Sequence, residues 1–480
     1  MTGQVTRREA AVGMPADTAV SKAVLVAQSG GTVVETVTNG IVRRAAARNL
    51  APLALSGFSL GLAVIGAVWL TGVTAHGNLI ALAALVASFF ACRAARVYAR
   101  HSFTERPASR EGRTGRGGHA TDTASVVTMA FAPSTDWAQG ACALLAELAV
   151  YAGIAGGVSA HAAAATGLSG PFGSLLRGTP VATLGGSGPD GVWRLAIIAA
   201  ILLAVREMGN ICVAAAKTRT AMVGGQEAVR RILVPAPPSG IRLVLLSLTV
   251  MIAGARPAFI LAFGLGAAAL LLRATVPGPN SGIIGYRGDG PLSVWIGRFV
   301  DGKLPPAPPL LVGLLVTGAL TVSGLGRLPG ILVFTPAEAM LLAALGCWHR
   351  HDGPRDWLVP ALLHTGEYVF LAALGFAFHA WPPVIFALLT AVALRHFDLA
   401  YRARNQVSPG WFMHAGANIG RTPKLPGADW RALGWEGRMI VAAFAAAVGV
   451  LPYAYAAFAV YLWILLARET LTGWSAGHSG

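Results

Sequence analysis

Residues 52–70 read PLALSGFSLGLAVIGAVWL, an apolar run without a charged side chain. A hydrocarbon core about 30 Å thick requires about 20 apolar residues in a helix, so this run is long enough to span a membrane. The whole chain has the same character: of its 480 residues, 55% are hydrophobic and 12% are charged, and the mean hydropathy is +0.61. These values exclude an ordinary soluble domain and predict an all-α, polytopic membrane protein.

Similar apolar runs recur along the chain, and we count about twelve candidate transmembrane helices. Those of the first half are 51–74, 77–98, 137–160, 193–216, 240–255 and 257–273. Those of the second half are 308–324, 330–348, 357–379, 381–400, 437–451 and 453–470. The predicted organisation is a cytoplasmic or interfacial segment at 1–39, a first bundle at 40–275, a linker at 276–306 and a second membrane bundle at 307–480.

The chain is basic, with a formal net charge of +16. Its Lys and Arg residues concentrate in alternate connections between the apolar runs, at 93–136, 217–242 and 395–438. Positive charge in alternate connections is the positive-inside pattern, which predicts a multi-pass protein of the cell (inner or plasma) membrane with both termini in the cytoplasm. Because the cations alternate with spans and form no basic domain, no nucleic-acid partner is expected.

The two sets of runs resemble each other, which predicts two related six-helix bundles. The matching residues are Glu147 and Glu367 in the third runs, Arg206 and Arg395 in the fourth, and Arg242 and Arg438 near the start of the fifth. The alternative is that Ala-rich apolar segments look alike through composition alone.

Residues 92–100 read CRAARVYAR. This stretch resembles the D-x-x-D-G-x-x-A-R signature of the CDP-alcohol phosphotransferase (phosphatidyltransferase) family, of which the closing Ala99 and Arg100 remain. The second half of the signature, G-x-x-x-D-x-x-x-D, would fall just before Glu147. The resemblance implies that residues 40 to 275 form one six-helix unit of this family. The family's four aspartate positions are occupied here by Cys92, Ala95, Gln139 and Ala143.

In that family the aspartates hold divalent metal ions that grip the CDP pyrophosphate, and the last aspartate deprotonates the acceptor alcohol. Hard oxygen ligands suit Mg²⁺, and the four residues present here supply none at the required spacing. Arg96 also replaces the family's glycine and brings a cation beside the place of the metal charge. The resemblance therefore implies the scaffold without its chemistry: no catalytic residue, no metal, no cofactor, and a pseudoenzyme rather than an active transferase.

The second half resembles a domain of unassigned function that is often fused behind such transferases in actinobacterial proteins. The residues that carry this resemblance are DWLVP at 356–360, GEY at 366–368, RHFD at 395–398 with Tyr401 and Arg402, and GWEGR at 434–438.

The second half also carries a candidate polar site towards the span ends assigned to the cytoplasm. Its members are His364, Glu367, Arg395, Asp398, Tyr401, Arg402 and Arg438. Arginine forks suit phosphate or pyrophosphate and need no metal to bind it. An interhelical ion-pair network is the alternative. Secondary candidates are Arg100, Glu147 and Arg206, of which Glu147 is favoured as a buried carboxyl that holds neighbouring helices.

These patterns predict non-catalytic binding of a lipid or a nucleotide-linked alcohol, in the synthesis of envelope phospholipid or polymer. The expected partners are membrane lipids, a CDP-alcohol or phosphorylated lipid, and a second copy of the chain or a partner transferase. One alternative is an active phosphoalcohol transferase with a rebuilt site of His364, Glu367 and Asp398. The others are a membrane transporter and a scaffold for an active transferase.

Two local patterns predict helix details. Residues 17–48 alternate apolar and polar groups and end in arginines, which suits an interfacial helix on anionic lipid or, equally, a solvated helical tail. Thr335, Pro336 and Glu338 match a capping box at the start of the eighth span.

Overall fold

The structure is a computed structural model. It describes residues 32–72, 74–104, 123–160, 188–220, 238–275, 290–301, 303–326, 329–347, 358–406 and 432–476, with short pieces at 168, 172, 174–176, 179–182, 184–186 and 349. Within these ranges the side chains at 75, 100–104, 123–136, 212–220, 272–275, 326, 402–406 and 470–476 are not described. Every regular element in the described ranges is a helix, as the sequence predicts.

The helices of the first half are α1 Val33–Ala47, α2 Pro52–Thr71, α3 Ala75–Thr104, α4 Thr123–Ala160, α5 Gly188–Thr220, α6 Ser239–Ala253 and α7 Ala255–Thr275, with 3₁₀ turns at Ser174–Leu176 and Pro180–Ala182. Those of the second half are α8 Pro291–Gly297, α9 Ala307–Gly326, a 3₁₀ helix at Pro329–Phe334, α10 Thr335–Ala344, α11 Val359–Ala377, α12 Pro382–Gln406, α13 Gly434–Ala447 and α14 Leu451–Ala476.

Each predicted apolar run coincides with one helix among α2 to α7 and α9 to α14. In the part of the chain that the structure describes, eight of these are long and apolar enough to cross a membrane: α2, α3, α4, α5, α9, α11, α12 and α14. Of the other four, α6, α10 and α13 have only 15, 10 and 14 residues, and α7 is described with its side chains only from Ala255 to Leu271. Helix α6 ends directly before Gly254, and α13 ends two residues before Gly449. Both glycines have positive φ, at 101° and 78°, where a side chain would be strained. The structure therefore gives eight candidate spans where twelve were predicted.

The packing of helices follows the same order in both halves. In the first half α2 packs on α3 and α4, α3 on α6, α4 on α5 and α6, and α7 on α5 and α6. In the second half α9 packs on α10 and α11, α10 on α13, α11 on α12 and α13, and α14 on α12 and α13. Each half also opens with a short helix against its second span, α1 on α3 and α8 on α10.

The centre of the molecule is formed by the third and fourth spans of both halves. Helix α12 packs on α5 and α4, and α11 packs on α5. The buried share of each span is 67% in α4, 61% in α5, 72% in α11 and 89% in α12, against 39% or less in α2, α3, α9 and α14. The outer spans therefore present apolar side chains such as Phe58, Val68, Tyr453 and Ile464, as a surface in contact with lipid requires.

Helix α1 is amphipathic and lies against α3. Thr38, Val42 and Ala45 are buried on that side, while Arg43 and Arg44 are exposed. The part of residues 17–48 that forms α1 therefore packs against the bundle on one face, and its contact with lipid stays a prediction; residues 17–31 lie outside the described residues.

Helix α8 is held by a buried carboxylate from α13. Glu436, 2% exposed, accepts hydrogen bonds from the backbone N–H groups of Leu292 (2.8 Å) and Ser293 (2.6 Å). A Cβ at Gly290 would lie 1.9 Å from the Glu436 carboxyl carbon, so this approach requires glycine.

The capping box predicted at Thr335 is wrong, although a helix does begin there. Phe334, the last residue of a 3₁₀ turn, is the N-cap, and no side chain caps the helix. Glu338 instead accepts a 3.3 Å hydrogen bond from Thr317 on α9. The preceding 3₁₀ turn moves Thr335 into the helix, so its hydroxyl cannot act as the cap.

Candidate functional site

Two of the four positions that the resemblance matches to aspartates, Ala95 and Gln139, meet between α3 and α4. Gln139 Nε2 donates to the Ala95 carbonyl at 3.4 Å, and both residues are buried. The other two positions, Cys92 and Ala143, lie about one helical turn along α3 and α4 from these residues. One thiol, one amide and two methyl groups supply no pair of hard oxygen ligands for Mg²⁺.

Arg96 lies beside this contact and reaches the start of α6. Its Nη2 atom donates to Ser239 Oγ at 3.2 Å, and the side chain is partly exposed. A cation therefore borders the place where the resemblance puts the metal ions. The side chain of Arg100, the secondary candidate one turn away, lies outside the described part of the structure.

A buried ion pair lies one turn deeper in the first half. Glu147 on α4 is 1% exposed and Arg242 on α6 is 5% exposed. Arg242 Nε donates to Glu147 Oε1 at 3.0 Å and Nη2 donates to Oε2 at 2.6 Å. Arg242 Nη2 also reaches Glu207 Oε1 on α5 at 3.5 Å, and Tyr151 Oη donates to Glu147 Oε1 at 2.9 Å. The pair neutralises a buried charge and joins three helices.

The second half contains the same pair. Glu367 on α11 and Arg438 on α13 are both 1% exposed. Arg438 Nε donates to Glu367 Oε1, and Nη2 donates to Oε2 at 3.0 Å. Arg438 Nη2 also meets His396 Nε2 on α12 at 2.7 Å, while His396 Nδ1 lies 2.7 Å from Tyr368 Oη.

The two pairs match atom for atom. In each half the glutamate is on the third span, the arginine is on the fifth, and the same guanidinium atoms meet the same carboxylate oxygens. In each half the fifth-span arginine also contacts a third residue, which lies on the fourth span: Glu207 in the first half and His396 in the second. Each of these residues directly follows an arginine, Arg206 or Arg395.

His364, Glu367 and His396 have the composition and spacing of a metal site. Their ligand atoms all lie within 4.8 Å of one another, and all three residues are buried. The two imidazole rings stack with their centroids 3.5 Å apart. The guanidinium of Arg438, however, already donates to both Glu367 and His396, so the protein's own cation occupies the point towards which these groups converge.

Arg395 precedes His396 on α12 but belongs to a separate cluster of side chains. It is 0% exposed, donates from Nη1 to Glu469 on α14, and lies 3.7 Å from Asp398. Tyr401 stacks on Phe397, with ring centroids 6.3 Å apart. The predicted second-half site is therefore divided into two clusters, one around Arg438 and one around Arg395, and the side chain of Arg402 lies outside the described part.

A small cavity adjoins the first-half pair. It lies among α4, α5, α6 and α7, is partly open to the surface, and has room for about one water molecule. Arg206, the remaining secondary candidate, lines this cavity together with Glu147 and Arg242, while leucines and alanines form most of the wall.

Sequence reasoning did not include His396, Glu207 and Glu469 among the candidate residues. His396 and Glu207 could have been found from the internal repeat, since each directly follows a matched arginine. Glu469 gives no local signal, because its partner Arg395 is 74 residues away.

Comparison with known proteins identifies a partial match. Residues 286–480 match a family described as "Family of unknown function (DUF5941)". The matched segment begins just before α8 and contains the Glu367–Arg438 pair. Comparison with curated proteins and with solved structures gives no match.

Proposed function

We propose that the chain consists of two related six-helix bundles, α2 to α7 and α9 to α14, that share one orientation in the cell membrane with both termini in the cytoplasm. The order of helix packing is the same in both halves, and each contains the same buried Glu–Arg pair. The charges in alternate connections support the orientation. Similar composition alone would not reproduce an atom-for-atom ion pair.

The first bundle has the scaffold of a CDP-alcohol phosphotransferase and binds a phosphate-bearing lipid or nucleotide-linked alcohol without catalysis, in envelope lipid or polymer synthesis. One observation supports this proposal: Ala95 and Gln139, two of the four positions that the resemblance matches to aspartates, meet between α3 and α4, and none of the four residues is a carboxylate. Arg96 then supplies, as a guanidinium, the positive charge that metal ions supply in the family.

Ligand binding is assigned to the first bundle because Arg395 and Arg438, the two candidate arginines of the second half whose side chains are described, are already neutralised. Arg438 is bound to Glu367 and Arg395 to Glu469, and both guanidinium groups are almost completely buried. Phosphate binding there would require the loss of an existing buried ion pair, which is costly. Arg96 is partly exposed, and its described hydrogen bond is to a neutral hydroxyl.

The experiment is thermal stabilisation of the detergent-purified protein by CDP-glycerol, CDP-diacylglycerol and CMP, each with and without Mg²⁺. We expect stabilisation by at least one of the CDP compounds, independent of Mg²⁺. The variant Arg96→Met should lose it, and the exposed Arg298 in the second half provides the matched control variant Arg298→Met.

Two results would contradict the proposal. Stabilisation that requires Mg²⁺, together with release of CMP from a CDP-alcohol, would indicate an active transferase. The absence of any shift with all three compounds would leave a scaffold for a partner enzyme as the better account.

A further inference from the structure

The contacts between the two halves are themselves related by symmetry. Helices α5 and α12 are the fourth spans of their halves, and α4 and α11 are the third. The halves meet through α5 with α12, α4 with α12, and α11 with α5. Exchanging the two halves converts the contact of α4 with α12 into that of α11 with α5, and leaves the contact of α5 with α12 unchanged. An interface that is unchanged by such an exchange is isologous, the type formed by two copies of one protein.

Each of the three contacts is a close, specific one. Trp193 of α5 meets Phe386 of α12 edge to face, with ring centroids 5.8 Å apart. Phe397 of α12 lies so close to α4 that a Cβ at Gly140 would be 2.6 Å from its ring.

The third contact joins α5 to α11. The Arg194 guanidinium lies 5.2 Å from the centroid of the Phe376 ring, within the range of a cation–π interaction. The four helices involved are also the most buried candidate spans of the described chain.

We infer that the chain is a fused pseudo-dimer, in which the second bundle occupies the surface that a second copy of the first bundle would use. This inference rests on the two-bundle arrangement put forward under Proposed function. A twofold interface is closed, because each half uses the same patch and no complementary patch is left over. The full chain is therefore a monomer, and its dimer partner is its own second half.

The test is cross-linking of paired cysteines by a short bifunctional maleimide, in the full chain in its native membrane and in a background with Cys92, Cys142, Cys212 and Cys347 replaced by alanine. The pair Gly140→Cys with Phe397→Cys probes α4 against α12. The pair Arg194→Cys with Phe376→Cys probes α5 against α11, the helix pair that corresponds to α12 and α4 when the halves are exchanged. The pair Phe58→Cys with Phe444→Cys, on exposed positions of α2 and α13, is the control.

We expect both interface pairs, but not the control, to be cross-linked within a single chain, and native mass spectrometry to give one chain of 49.4 kDa. Cross-links between two chains, a dimeric mass, or cross-linking of only one interface pair would overturn the inference. The outcome is independent of ligand binding: loss of CDP-alcohol binding leaves the cross-links intact, and loss of the cross-links says nothing against binding at Arg96.

Discussion

The buried pair of Glu367 and Arg438 allows a quantitative test of what stabilises the second bundle. In Glu367→Gln the side chain keeps its shape but loses its charge, and the Arg438 guanidinium, 1% exposed, loses its carboxylate. Removing one partner of a buried pair costs about 3–5 kcal/mol, because the other charge is left uncompensated. We expect a decrease of that size in the free energy of unfolding.

The double variant Glu367→Leu with Arg438→Met should recover most of this loss. Replacing both charges by apolar groups of similar volume is often neutral or stabilising, so the double variant should lie within about 2 kcal/mol of the wild type. The first-half pair should behave in the same way in Glu147→Gln and in Glu147→Leu with Arg242→Met.

The assay is equilibrium unfolding in mixed micelles of increasing SDS content, followed by circular dichroism. The exposed pair of Asp301 and Lys303, whose side chains are 78% and 73% exposed, supplies the control Asp301→Asn, which should change stability by less than about 1 kcal/mol. A cost below about 1 kcal/mol for Glu367→Gln, or a double variant less stable than the single one, would refute the reasoning.

Three further predictions use the same measurement or a direct one. Arg256 is 0% exposed and donates hydrogen bonds to the carbonyls of Leu184, Gly186 and Gly188. The variant Arg256→Met leaves these carbonyls without their donor and should lower the free energy of unfolding by about 2–5 kcal/mol. Arg298 is exposed, so the control Arg298→Met should leave stability unchanged. A Cβ at Gly153 would lie 2.4 Å from the Ala67 carbonyl oxygen. The variant Gly153→Ala should therefore lower the free energy of unfolding by about 1–3 kcal/mol or prevent folding. A Cβ at Gly57 meets nothing within 4 Å, so the control Gly57→Ala should leave stability unchanged. Arg438 already binds Glu367 and His396 of the His364–Glu367–His396 cluster. After dialysis against Zn²⁺, the wild type and His364→Ala should therefore contain equal amounts of metal. One Zn²⁺ per chain in the wild type and none in His364→Ala would contradict this assignment.

The helices could be predicted from the sequence because hydropathy acts locally. Each of the predicted apolar runs coincides with a helix, since about twenty apolar residues between breaks leave few alternatives. The number of spans could not be predicted as well, because a backbone turn at Gly254 or Gly449 shortens a helix without changing its composition.

The candidate site was predictable only within single helices. His364 and Glu367 share one face of α11 by their spacing of three, and Arg395 and Asp398 share one face of α12. Which cation meets which carboxylate depends on how distant helices pack: Glu367 binds Arg438, 71 residues away. The pattern at Glu338 failed for the same reason, since its side chain turns to Thr317 on the neighbouring helix.

If the two halves arose by duplication, as the proposed repeat implies, the paired glutamate and arginine constrain how the halves can diverge. A single substitution in either residue leaves an uncompensated charge buried between helices. A variant with only one of the two substitutions therefore folds poorly and is removed by selection before the second substitution can occur. The third partner carries no such constraint: glutamate occupies it in one half and histidine in the other. After a gene duplication, such a pair would be retained in both copies whether or not either copy kept its original activity.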